Sequence, residues 1–368
     1  MSKPRTGAVP AQQPGPLVFF GSMELSLVGR KVHEALWRSL DRPIRPAILE
    51  TPAGFELNSP DVAGRYATFM RDRLSPYQPQ PRVIAARKKG TPFSPDDPEI
   101  CAPLLGANYF YLGAGSPSYT VRQLRGSLAW RYLMLRHRMG APICFESAAT
   151  VAVSRFSLPV YEIFKVGEDL HWKPGLDLLA QYGLAVSFVP HWNNTDGGAS
   201  LDTTCCYLGR ERFEKMLGML PVSQTIVGID DHTVLVVELS HRSCRVLGQG
   251  TVTVARDGIV TFAAGESFPL EALGEAVLPD PRDGVDRDLW EASLAALSAP
   301  AEPAVPDPAI QQLVDDRTAA RSRRDWAKAD RLRTVLAAAG WWVDDTPAGP
   351  VPRRREAATG DKPPIIPS

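Results

Sequence analysis

The stretch Ile143-Cys144-Phe145-Glu146-Ser147-Ala148-Ala149-Thr150 sets one serine between a short apolar run and a small-residue, helix-like segment. A tight strand-to-helix turn lifts a serine hydroxyl off the end of a sheet. It also aims the next backbone N–H and the helix N-terminus at a developing oxyanion. The same serine would serve as an ordinary helix N-cap, so this segment alone leaves both roles open. Upstream, Tyr111-Leu112-Gly113-Ala114-Gly115-Ser116-Pro117 is a glycine-rich turn straight after a strand-like run, where main-chain amides can approach a substrate closely. Downstream, Val189-Pro190-His191-Trp192-Asn193-Asn194 puts a histidine just past another strand. Between them Glu162 sits inside the apolar run Leu158–Phe164, a costly place for a carboxylate without a partner. A histidine would supply that partner, and the carboxylate would hold the imidazole in the tautomer a serine needs. The chemistry these residue types suit is nucleophilic acyl transfer.

Such residues need a frame. Leu17-Val18-Phe19-Phe20, Ile44–Leu49, Arg82–Ala86, Tyr109–Leu112 and Ala141–Phe145 are short apolar runs. Several are followed by small or turn residues and then a helix-like segment. Short buried strands alternating with helices predict a parallel sheet covered on both faces, an α/β architecture. After about residue 184, strand-like runs separated by short turns, with a hairpin signal at Asp257-Gly258, read as antiparallel completion of the same sheet.

The expected organisation is a disordered arm over 1–15, a main domain over 16–275, and a Pro-rich linker over 276–308 with a short helix at Asp288–Leu297. A helical hairpin over 309–349 and a disordered tail over 350–368 complete it. In the hairpin, Ile310, Leu313 and Val314, then Trp326, Ala329, Leu332 and Leu336, recur at helical spacing, with Asp325 as N-cap and Gly340 as stop.

Charge and cysteine usage narrow the classes. Lys+Arg and Asp+Glu are both 41, so the whole chain is no polycation attracted in bulk to nucleic acid. Five scattered cysteines without a C-x-x-C pair are no disulfide framework and point to a reducing compartment. Cys144, three residues before the serine, reads as a buried structural thiol, and Cys205-Cys206 as reduced neighbours. No run reaches the ~18 apolar residues of a membrane span, and the first residues lack a signal-peptide pattern. The expectation is a cytoplasmic protein without membrane contact. The six histidines have no metal-ligand spacing, so neither a metal nor another cofactor is expected.

The glycine turn, the serine in its small-residue turn, an acid fifteen residues later and Pro-His-aromatic after the next strand together resemble the dipeptidase E / cyanophycinase family of serine peptidases. The resemblance spans roughly 16–270. It includes the Gly21-Ser22 turn, Ile48-Leu49-Glu50-Thr51-Pro52-Ala53-Gly54 and Val227-Gly228-Ile229-Asp230-Asp231-His232-Thr233. It implies the class I glutamine amidotransferase-like fold, a flavodoxin-like three-layer sandwich with a mainly parallel sheet. It also implies Ser147 as nucleophile, His191 as general base and Glu162 as orienting acid, where the dipeptidases more often have aspartate. The backbone amides of Gly115 and Ala148 would form the oxyanion hole, and the substrate would be a peptide or small amide. The elbow departs from Gly-x-Ser-Ala-Gly: Phe145 and Ala149 replace both glycines, and Glu146 brings a charge beside the nucleophile. Where the dipeptidases carry a Glu-Thr-Arg cluster, this chain has Asp202-Thr203-Thr204-Cys205-Cys206. Arg210 or Arg212 would have to substitute for the arginine. Asn193, Asn194, His171 and Arg210 are the candidate substrate-binding side chains. An α/β-hydrolase shares the order serine, acid, histidine but has a longer catalytic spread.

Residues 310–349, ending Asp344-Asp345-Thr346-Pro347-Ala348-Gly349, are similar to the C-terminal helical module of cysteinyl-tRNA synthetases. Between 317 and 333 seven basic residues face two acids, a local charge of +5 suited to a phosphate backbone. Arg321, Arg324, Lys328 and Arg331 are the candidate RNA contacts. The signature loops and zinc ligands of a synthetase are missing, so aminoacylation is not expected. The alternative to a hydrolase is a catalytically inactive scaffold whose tail binds tRNA or a protein.

Overall fold

The computed structural model describes residues 13–22, 25–40, 43–298, 308–339, 341–346 and 349–354. The chain divides into two compact units, Met1–Ala299 and Pro300–Ser368. Most of the expected N-terminal arm, residues 1–12, lies outside the described residues.

In the first unit the predicted apolar runs are strands β1 Leu17–Phe20, β2 Pro46–Leu49, β3 Arg82–Ile84, β4 Tyr109–Leu112 and β5 Ile143–Glu146. They pair in parallel in the order β1-β5-β4-β2-β3. Every residue of β1, β2, β4 and β5 is buried, the pattern of strands covered on both faces. Helices α1 Leu27–Trp37 and α2 Ser59–Arg73 cover one face, where Val32, Trp37, Tyr66 and Met70 meet Val18, Phe20 and Tyr111. Helices α3 Pro98–Gly106, α4 Pro117–Leu124, α5 Leu128–Arg138 and α6 Ala148–Ala152 cover the other, against Phe19, Phe110 and Phe145. This is a mixed α/β sandwich built on a central, mostly parallel sheet.

The later strands do not all complete that sheet. After a ribbon of β6 Phe156–Ser157 and β7 Lys173–Pro174 come β8 Val186–Val189, β9 Thr225–Ile229, β10 Thr233–Glu238, β11 Ser243–Gly248, β12 Thr251–Ala255, β13 Ile259–Ala263 and β14 Ser267–Pro269. β10, β11 and β14 extend the main sheet antiparallel from β1, giving eight strands. β8, β9, β12 and β13 form a second sheet. Its strands lie over the first because Phe188 of β8 stacks on Phe19 at 4.0 Å between ring centroids. An inward aromatic of this kind packs a strand onto a sheet face and not along its edge. The hairpin at Asp257-Gly258 joins β12 to β13.

Helix α7 Arg210–Leu217 follows β8 in the chain, and α8 Arg287–Ser298 coincides with the short helix expected in the linker. α8 packs on the first unit: Trp290 meets Leu135 and Met139, and Ser293 bonds Arg136 and the Leu105 carbonyl. The main unit therefore runs to Ala299 and not to 275. Among the described residues no helix is long and apolar enough to cross a membrane.

The second unit holds the expected helical pair, α9 Pro308–Ser322 and α10 Trp326–Ala338. Asp325 caps α10 through Lys328 N at 3.0 Å, while the expected stop Gly340 lies outside the described residues. Ile310, Val314 and Leu336 form its small core with Trp341, but Trp326, expected inside, is exposed. An antiparallel hairpin of β15 Trp341–Thr346 and β16 Gly349–Arg354 extends the unit into the segment read as a tail. The rest of that tail, residues 355–368, lies outside the described residues.

Candidate active site

Ser147 stands between β5 and α6 with φ 45° and ψ −106°. A serine in this region is strained by roughly 1–3 kcal/mol and is held there by its surroundings. Neighbours on both sides supply the hold. Phe145, the bulky replacement for the first elbow glycine, points into the core and stacks near Phe19 at 5.5 Å, away from the turn. Ala149 is fully buried and starts the packing of α6. Thr150 Oγ1 donates to the Phe145 carbonyl at 2.9 Å. The Ser147 hydroxyl is not spent on capping α6. It lies 2.9 Å from His191 Nε2.

His191 follows β8 and has a left-handed φ of 53°. Its carbonyl accepts from Cys206 N at 3.1 Å, and that of Trp192 from Cys205 N at 3.0 Å. Cys205, Cys206 and Tyr207 all have positive φ, a left-handed turn that L-residues adopt only under constraint. The Trp192 ring occupies the space above Gly228, where a Cβ would come within 2.4 Å of it. Tyr207 packs 5.7 Å from the imidazole and donates to Asp196 at 2.7 Å.

The other imidazole nitrogen identifies a residue the sequence did not single out. His191 Nδ1 lies 2.8 Å from Asp231 Oδ1. Glu162, the expected orienting acid, is elsewhere: its Oε1 accepts from Lys173 Nζ at 2.7 Å. The serine–histidine pair is thus completed by Asp231, and the assignment of Glu162 is corrected. The reason is topological. Asp231 sits in the turn between β9 and β10, the turn that reaches the end of β1. Gly21 presses on that turn so closely that a Cβ would meet the Asp230 carbonyl at 2.0 Å, and Ser22 Oγ accepts from His232 N at 3.1 Å. The neighbouring Asp230 is structural, accepting from Thr251 N and Oγ1, both at 2.8 Å. Burial pushes the Asp231 pKa up, but bonds from His191, Ser22 and Asn194 outweigh it and keep the carboxyl below its ordinary range. The Asp230-Asp231-His232 segment carried this signal, but two adjacent aspartates in a turn do not say which one faces the histidine.

Asn193 and Asn194, expected at the substrate, hold the acid. Asn193 Oδ1 accepts from Asp231 N at 2.8 Å, and Asn194 Nδ2 lies 3.4 Å from Asp231 Oδ2. His171 is a loop histidine whose Nδ1 lies 2.8 Å from the Asp169 carbonyl. Arg210 opens α7 as an exposed residue, its amide bonded to Asp202 at 2.8 Å. Neither His171 nor Arg210 is hydrogen-bonded to the serine, histidine or aspartate. Cys144 is fully buried beside Tyr109 Oη at 2.8 Å, and burial pushes its thiol up to about 12.

Gly115 lies in the turn after β4, so close to the Thr51–Ala53 turn that a Cβ would sit 1.9 Å from the Pro52 carbonyl oxygen. Ala148 is the first residue of α6, where an amide has no intrahelical acceptor. Beyond the glycine loop, a cavity of about 420 Å³ is lined by Ser118, Arg122 and Arg125, with Ser157 and Lys173 opposite. Ser118 Oγ and Ser157 Oγ are buried there, and Glu162 Oε2 behind Lys173, without a hydrogen-bond partner among the described residues. Burial raises the Glu162 pKa, but the bonded Lys173 ammonium outweighs it and holds it low. Arg125 is committed to the Pro174 and Gly175 carbonyls at 2.8 and 2.7 Å, whereas Arg122 lies over the Tyr119 ring.

In the second unit Arg317 bonds Asp345 at 3.0 and 3.1 Å, and Arg321 joins the same carboxylate at 3.0 Å. Of the candidate RNA contacts, Arg321 is therefore partly neutralised, Arg324 and Arg331 are exposed, and Lys328 is half-buried.

The fold is an α/β sandwich that brings a serine, a histidine and an aspartate into one hydrogen-bonded row at its strand ends. No known family profile matches the chain. Among solved structures it is similar to a peptidase from an acI-B1 Actinobacterium, at a TM-score of 0.56 and 20% identity, covering 70% of this chain and 98% of that one. At that identity the likeness shows the fold. The C-terminal region matches cysteine–tRNA ligases over short segments: 58% identity over 43 residues with that of Frankia casuarinae, and 50% over 40 residues with one from Burkholderia lata. The chain spans 8% of the length of each of these ligases.

Proposed function

We propose that the chain is a serine hydrolase of the dipeptidase E / cyanophycinase type that cleaves a peptide or isopeptide bond. The observation that carries this reading is the Ser147 hydroxyl, on a strained backbone, at 2.9 Å from an imidazole whose far nitrogen is held by Asp231. Asp231 accepts the Nδ1 proton and so leaves Nε2 of His191 as the base. Ser147 Oγ attacks the substrate carbonyl carbon while its proton passes to Nε2. The carbonyl π pair moves onto oxygen, which the amides of Gly115 and Ala148 receive. As the C–N bond breaks, Nε2 returns the proton to the departing amine, leaving an ester on Ser147. Water, deprotonated by the same nitrogen, releases the acid and restores the hydroxyl. For a substrate that carries an acidic group, Arg122 in the cavity beyond the glycine loop would receive it, the role for which the sequence offered Arg210 or Arg212.

Labelling by a fluorophosphonate probe tests the reading. Wild-type protein should be labelled, and Ser147→Ala should lose both labelling and hydrolysis with its melting temperature kept. Labelling that survives the substitution removes Ser147 from the mechanism.

The similarity of the C-terminal region to cysteine–tRNA ligases favours a second reading: an inactive scaffold whose basic helices bind tRNA or a protein. A mobility shift with total tRNA, compared between the full chain and one ending at Ala299, separates the two. A salt-sensitive shift that needs the tail, with no probe labelling, supports the scaffold.

A further inference from the structure

We propose that Glu146 is a positioning residue that sets the glycine loop at the correct height over the serine, an inference that rests on the hydrolase reading above. Glu146 is the last residue of β5, covalently next to Ser147, and only 6% exposed. It faces the α2 side of the sheet, as Cys144 does. A carboxylate in such a place is costly unless it is well bonded. Oε2 accepts from Tyr66 Oη of α2 at 2.5 Å, from Tyr111 Oη of β4 at 2.8 Å and from the main-chain amide of Ala114 at 3.2 Å.

The third bond makes the difference. Two phenols could satisfy a buried acid without any link to function, but Ala114 immediately precedes Gly115 in the loop assigned to the oxyanion. The far side of Gly115 is also held, because Ser116 N donates to the Pro52 carbonyl at 3.0 Å. The amides on both sides of Gly115 are therefore committed, one to Glu146 and one to Pro52. Among the described residues the Gly115 amide itself makes no main-chain hydrogen bond. The loop's glycines answer to the same arrangement. A Cβ on Gly113 would come within 2.8 Å of the Tyr66 ring whose hydroxyl holds Glu146, and one on Gly115 would strike Pro52. The elbow and the loop are thus linked through one side chain: movement of the Glu146 carboxylate carries the Ala114 peptide, while its backbone carries Ser147 and Ala148.

Three variants separate reach from charge. Glu146→Gln keeps an oxygen acceptor at the same reach, Glu146→Asp keeps the charge but withdraws it by one methylene, and Glu146→Leu removes both. The readouts are the rate of fluorophosphonate labelling, kcat and KM, and amide hydrogen exchange over residues 113–116. The Leu and Asp variants should label about 10²-fold more slowly, with kcat lowered, KM held and exchange at 113–116 accelerated. Gln should stay within about tenfold of wild type. If Glu146→Leu does not fold, the contrast of Asp with Gln decides. Asp and Leu variants that label at the wild-type rate overturn the proposal. Should wild-type protein itself not label, the hydrolase reading fails. Exchange then decides the strut alone: unchanged protection at 113–116 in Glu146→Asp overturns it, and accelerated exchange retains it as the determinant of loop geometry.

Discussion

His191 and Asp231 are 40 residues apart in the chain, yet Nδ1 and Oδ1 lie 2.8 Å apart, each carried on a turn that ends a strand of the second sheet. The contact assigns the tautomer: with Nδ1–H donated to Asp231, Nε2 is left to accept from Ser147.

Asp231→Asn should lower kcat by about 10³–10⁴-fold, because an amide can present its N–H to the ring and stabilise the wrong tautomer. Steady-state kinetics on any peptide or ester substrate the protein accepts would check this. A loss under tenfold would mean that another group orients the histidine.

Glu162→Gln and Arg122→Ala should act differently, raising KM by about tenfold and leaving kcat within a few-fold. Glu162 acts through Lys173, to which it is bonded at 2.7 Å, and Arg122 lines the same cavity. A fall in kcat as large as that of Asp231→Asn would return Glu162 to the reacting centre.

Gly115→Ala should cost about 2–3 kcal/mol of stability or force the loop away from the turn, since its Cβ would sit 1.9 Å from the Pro52 oxygen. Melting temperature and probe labelling should fall together. Wild-type values in both would mean that the loop shifts without consequence.

Acid should weaken the fold well before the carboxylates titrate. His33 and His137 are buried, and burial lowers each pKa to about 3. The unfolded chain binds protons at these side chains below about pH 6.5, and the folded one refuses them. Their contribution is therefore whole above about 6.5 and is lost as the pH falls toward 3, at up to about 1.4 kcal/mol per pH unit for each histidine. Urea midpoints measured from pH 7 to pH 5 should decline, and His137→Gln should halve the steepness. Asp231, held below its ordinary range, stays charged throughout that window.

Arg317→Ala should destabilise the second unit by about 1.5–3 kcal/mol, because it deletes two bonds to the Asp345 carboxylate from a side chain that is 7% exposed. Limited proteolysis should cut within 308–339 earlier than in wild type, while the first unit resists as before.

Much of this protein is legible in the order of its residues. Four-residue apolar runs such as Leu17-Val18-Phe19-Phe20 have no polar face, so they declare strands buried on both sides and, with the intervening helices, the layered α/β frame. Small residues after Glu146 and the proline before His191 mark where side chains leave strand ends, and those two positions meet as expected. The basic helical pair announces itself by its period and its cap at Asp325. Which carboxylate completes the pair, which strands leave the main sheet and where Glu146 points were decided by tertiary structure alone. A strand's sequence fixes its exposure but not its neighbour. Only once Phe188 stacks on Phe19 does β8 leave the main sheet, and only the turn beyond its partner strand β9 then brings Asp231, rather than the acid Glu162 that precedes the histidine in the chain, within reach of the imidazole.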